Sequence, residues 1–144
     1  MQPPARRPIG LSLALTAKAV SRAFDEAMTE AGASLPVWLT LLSIRTRRAS
    51  SQREIAEAIG IQGATLTHHL NRMEAEGLVT RRRDPANRRM HQVELTPAGE
   101  AMFHRLVATA TAFDRRLREG FDDGELALLE RLLVRLRGNV DVEG

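Results

Sequence analysis

Apolar residues recur from Ile9 at steps of three and four: Leu13, Ala17, Val20, Phe24, Met28 and Ala31. Such steps put one stripe on one side of a helix, so a long first helix is predicted, ended by Gly32. Ser34 is the expected N-cap of a second helix, with Pro36 tolerated in its first turn and Val37, Leu41 and Ile44 facing inward. Ser51 and Glu54 have the spacing of a capping box. They open a short third helix, from Gln52 to about Ala58, that buries Ile55 and Ile59. Gly60-Ile61 reads as a tight turn, followed by a fourth helix from about Gln62 to Glu76 with Gly77 as its C-terminal stop.

The period then changes from helical to alternating. Leu78–Arg83 and Met90–Leu95 read as two strands around an Asp84-Pro85-Ala86-Asn87 turn. Thr96 caps and Pro97 opens a fifth helix, with Met102, Leu106, Ala110, Phe113, Leu117 and Phe121 along its stripe. Asp122-Asp123 begin a sixth, with Leu126, Leu129, Leu133, Leu136 and Val140 in phase and Leu128 and Leu132 widening the row. The expected fold is mostly α. The first helix and the last two carry long apolar faces that so small a sheet cannot cover, and self-association is the simplest way to bury them.

Composition narrows the chemistry. The 144 residues include no cysteine, which excludes disulfides, thiolate metal sites and cysteine nucleophiles. The net charge of +3 is unevenly spread: residues 1–44 carry +1, residues 45–91 carry +5 and residues 92–144 carry −3. A basic middle third suits a nucleic-acid face. Arginine supplies all but one of the cations, and its planar fork matches phosphate and guanine. No uncharged run exceeds 14 residues, and the one from Ala31 to Ile44 is broken by Pro36, so no bilayer span is expected. The N-terminus imitates a signal peptide at Arg6-Arg7 and Ile9–Ala17, but the apolar spacing runs on past Ala17-Lys18-Ala19. The cytoplasm is the expected location.

Residues 55–70 have a helix-turn-helix pattern. On the fourth helix Leu66, Leu70 and Met73 share one side, whereas Ala64, Thr65, His68, Asn71 and Arg72 lie opposite. A helix that reads DNA needs small and hydrogen-bonding groups there, toward its N-terminal half. An ordinary solvated face has the same look. The hairpin tips the balance: residues 81–91 hold Arg81, Arg82, Arg83, Arg88 and Arg89 against one acid, Asp84. Positive charge so concentrated can cross a DNA backbone and enter a narrow minor groove.

The run Gly77-Leu78-Val79, Arg81-Arg82-Arg83-Asp84-Pro85-Ala86-Asn87-Arg88-Arg89 and Val93-Glu94-Leu95-Thr96-Pro97-Ala98-Gly99 resembles the MarR family of winged helix-turn-helix regulators, over about residues 9–140. The resemblance implies three helices plus a two-stranded wing at residues 34–96. It also implies dimerisation through residues 1–33 and 97–144, and a palindromic double-stranded DNA operator. Its implied DNA-binding residues are Gln62, Gly63, Ala64, Thr65, Thr67, His68, Asn71 and Arg72 on the helix and Arg81, Arg83, Arg88 and Arg89 in the wing, with Arg88 or Arg89 in the minor groove. Asn87 departs from the family's usual aspartate at the wing arginine: it can accept a hydrogen bond but offers no charge pairing, which implies either a less rigid wing or an arginine held by another acid such as Asp84.

The resemblance also implies repression relieved by a small aromatic or phenolic ligand between the reading domain and the dimer helices. Phe24, Trp38, Leu42, Phe103 and His104 are the candidate lining, although with five aromatics in the chain each also suits the core. No metal, cofactor or catalytic site is expected. His68-His69 are adjacent and diverge on a helix, and no sharp turn presents a serine. The rival reading is a module that offers its basic face to acidic protein partners.

Overall fold

The computed structural model describes residues 6–47, 51–83, 85–86 and 91–141. In chain order these form α1 (Ile9–Glu30), α2 (Leu35–Arg47), α3 (Gln52–Ile59), α4 (Gly63–Ala75), β1 (Val79–Arg83), β2 (His91–Leu95), α5 (Pro97–Arg118) and α6 (Asp123–Gly138). The chain divides into two compact units after Ala110.

In the first unit one core draws on nearly every element: Met28 from α1, Trp38 and Leu41 from α2, Ile55 and Ala56 from α3, Leu66, Leu70 and Met73 from α4, Val79 and Val93 from the strands, and Phe103 and Leu106 from α5. The second helix is more enclosed than a three-residue stripe implies. It contacts α1, α3, α4 and β2, so Thr40 and Ser43 are buried beside Leu41 while Val37 and Ile44 are only half-buried. Thr40 tolerates this because its hydroxyl donates to Pro36 O at 2.7 Å.

The helix ends follow their local chemistry. Ser51 Oγ accepts the Glu54 N–H at 3.1 Å. Only that half of the expected capping box forms among the described residues; Ser51 lies instead in an isolated bridge with Gln92 of β2. Both halves form at Asp122 and Glu125, which start α6. Gly60 and Gly77 hold φ of 74° and 76°, a left-handed conformation that only glycine adopts cheaply, and they end α3 and α4.

The two strands pair antiparallel, Val79 with Leu95 through Arg83 with His91. The tip between them (Asp84, Asn87, Arg88, Arg89 and Met90) lies outside the described residues apart from Pro85 and Ala86. In the second unit α6 has no buried residue; Leu128, Leu129, Leu132 and Leu133 are 40–45% exposed along one helix. Val140 falls beyond the end of α6 rather than in its stripe, because the helix stops at Gly138 with Asn139 as its cap. Among the described residues no single helix is long and apolar enough to cross a membrane.

Candidate nucleic-acid interface

The fourth helix has two faces of opposite character. Leu66, Leu70 and Met73 are buried to within 1% of full enclosure, which fixes the helix on the core. Opposite them Ala64, Thr65, His68, Asn71 and Arg72 are exposed, as the wheel predicts, and so are Gln62 and Gly63 at the start of the helix. Gln62 occupies the N-cap without a side-chain bond into the helix, so its side chain does not satisfy the N–H groups of the first turn. Thr67 is half-buried. Its hydroxyl donates to Gly63 O at 2.9 Å and accepts from Gln52 Nε2 at 3.3 Å, tying α4 to α3.

The wing arginines differ from one another by strand parity. Val79, Arg81 and Arg83 point to one face of β1 and Thr80 and Arg82 to the other. Val79 and Val93 are buried on the first face, so Arg81 is drawn against the flank of α4. Its guanidinium meets Glu74 at 3.3 Å through both Nε and Nη2, and Nη2 donates to Asn71 Oδ1 at 2.6 Å. The bond and charge of Arg81 hold the Glu74 carboxyl below its ordinary pKa. On the other face Arg82 pairs with Glu94 of β2. Arg83 is exposed beside His91. Gln52, Thr67, Glu74, Arg81 and His91 line an open groove of about 400 Å³ between α3, α4 and the strands. Gln52 and Glu74 were not marked by the sequence pattern. Glu74 had one available signal: it lies one turn beyond Asn71 on the same face of α4.

Residues 34–91 match the MarR family. The crystal structure of transcriptional regulator PA3341 superposes with a TM-score of 0.75 at 32% identity, over 92% of this chain and 98% of that one. The chain belongs to the MarR family. A sequence relative is the uncharacterized HTH-type transcriptional regulator YsmB of Bacillus subtilis (strain 168), 31% identical over 84 residues. That match spans 58% of this chain and 58% of YsmB. A mutant MarR from E. coli complexed with operator DNA shares the fold, with a TM-score of 0.78 at 23% identity over 90% of this chain and 93% of that one. The MarR match runs from the start of α2 through α3, α4 and β1 to the first residue of β2, so it contains all of α4 and the arginine strand.

The other residue set suggested by MarR resemblance packs differently. Trp38 and Phe103 stack at 6.0 Å with 14° between their planes, and each is 8% exposed. Phe24 and Leu42 are half-buried against the same core, whereas His104 is exposed and meets Phe103 edge-on at 5.8 Å. Arg88 and Arg89, the expected minor-groove residues, lie outside the described residues, as does Asn87. Among the described residues no group of three potential metal ligands occurs.

Proposed function

We propose that this MarR-family chain is a dimeric, sequence-specific regulator that inserts α4 into the major groove of double-stranded DNA. The observation that carries this reading is the exposed row Thr65, His68, Asn71 and Arg72 on a helix whose opposite face is locked into the core. A rigid helix is what lets a few side chains discriminate base edges. Gln62, Gly63 and Ala64 open that helix, and N–H groups that the Gln62 side chain does not cap suit a phosphate oxygen. Arg83, Arg88 and Arg89 supply the wing's charge toward the backbone and minor groove. The E. coli MarR–operator complex supports such docking by its shared fold.

The dimer reading rests on exposed apolar side chains of α1 and α6: Leu11, Leu13 and Leu15 on α1, and the row Leu128, Leu129, Leu132 and Leu133 on α6. We place repression and ligand release in the same proposal. A ligand entering among Phe24, Trp38, Leu42, Phe103 and His104 must open the Trp38–Phe103 stack. Trp38 is the sole tryptophan, so titration with aromatic acids should change its fluorescence if that set is the site, and leave it unchanged if the set is core alone.

Selection of bound duplexes from a random pool tests the main reading. A specific regulator recovers one motif and binds it more than about a thousandfold tighter than random DNA. Equal affinity for every duplex favours the acidic-protein reading of the basic face.

A further inference from the structure

Arg81 looks like one more cation for DNA, but its surroundings give it other work. Parity turns it inward beside Val79 and Val93, and its side chain is 18% exposed. The guanidinium is planar, and three contacts fix it: two to Glu74 and one to the Asn71 amide oxygen. Glu74 matches its charge, so a phosphate gains little from it. Asn71 sits on the exposed face of α4 with its oxygen already receiving a charged donor at 2.6 Å.

An asparagine that reads adenine uses both ends of its amide, donating to N7 and accepting from N6. Holding the oxygen toward β1 turns the NH2 group outward. We infer that Arg81 is a positioning residue of the DNA interface, which through the Asn71 oxygen makes α4 offer a donor in place of the donor–acceptor pair that selects adenine. The inference rests on the DNA-binding reading above. It expects the base facing Asn71 to present acceptors, as guanine does through O6 and N7 and thymine through O4. It also gives Glu74, near the C-terminal end of α4, a role in specificity, because Glu74 fixes the group that fixes Asn71.

The test uses the full chain and duplexes selected with it, with binding followed by fluorescence anisotropy. Arg81→Met combined with Glu74→Gln removes the tie, leaves net charge unchanged and strands no lone ion. This variant should bind the selected duplex about tenfold more weakly. Its base preference should move toward adenine at one position in each half-site, and adding Asn71→Ala should abolish that move. The salt dependence should keep its slope, since no phosphate contact is lost. A slope reduced by about 0.9 would mean that Arg81 neutralises a phosphate, and would overturn the inference. So would an unchanged base preference. If the double variant fails to fold, Arg81→Ala serves, because it removes the bond to the Asn71 oxygen and leaves Glu74 part-exposed to water; it should move the preference the same way. A wild-type chain that binds no duplex fails the DNA reading itself, and the inference with it.

Discussion

At the scale of single residues, the junction between α4 and α5 shows how little space the fold leaves. Thr96 N–H donates to Leu78 O at 3.1 Å, its hydroxyl donates to Gly77 O, and the same hydroxyl accepts the Gly99 N–H at 3.0 Å. A Cβ on Gly99 would stand 2.0 Å from Leu78 O, a backbone atom that cannot swing aside. Gly99→Ala should therefore destabilise by about 2–3 kcal/mol, seen as a lower urea midpoint with unchanged slope. Thr96→Ala, which removes both hydroxyl bonds, should cost about 1–2 kcal/mol. These contacts give a physical reason for the Leu-Thr-Pro-Ala-Gly run at 95–99. Glu74 offers a separate check at this scale. Its pKa is lowered by the hydrogen bond and charge of Arg81, so their tie is complete above the ordinary glutamate value of about 4.3 and is lost as pH falls through the lowered one. An NMR titration should find the carboxyl below that value in the wild type and nearer to it in Arg81→Met.

At the scale of elements, the two faces of α4 separate folding from recognition. Leu70→Ala empties a fully buried site and should cost about 2–5 kcal/mol, with DNA affinity per folded molecule preserved. Thr65→Ala touches only an exposed position and should leave stability within about 0.5 kcal/mol while relaxing preference at particular base pairs. Equal loss of stability from both substitutions would contradict the division. That division was legible in the sequence, because a 3.6-residue period maps directly onto a helix buried on one side. The helix boundaries were legible to within a few residues through Gly32, Gly60 and Gly77. The fate of Arg81, Arg82 and Arg83 was not. Composition makes them alike, and only the pairing of β1 with β2 shows that one lies against α4 and its neighbour against Glu94. The buried polar side of α2 was also hidden, since Thr40 and Ser43 look exposed until four elements close around them.

At the scale of the whole molecule, the proposed dimer and its operator have to share one geometry. Exposed leucines on α1 and α6 leave apolar surface that a second copy is expected to cover, so the melting temperature should rise with protein concentration. A concentration-independent melt together with a monomer mass by light scattering would remove the dimer. If it stands, two-fold symmetry presents two copies of α4 to one side of a duplex. Major-groove openings on one side recur about every 34–36 Å, or about 10–10.5 base pairs. The selected site should thus be an inverted repeat with half-site centres about one turn apart. The wings then lie over flanking minor grooves, which should favour A·T pairs because such tracts narrow the groove and deepen its negative potential. An insertion of about five base pairs between the half-sites rotates one of them by half a turn and should abolish dimer binding, whereas an insertion of about ten restores the facing and should recover part of it. Full-strength binding after the half-turn insertion would mean that each copy of α4 reads its half-site independently of the other, and that the exposed leucines on α1 and α6 do not set the spacing.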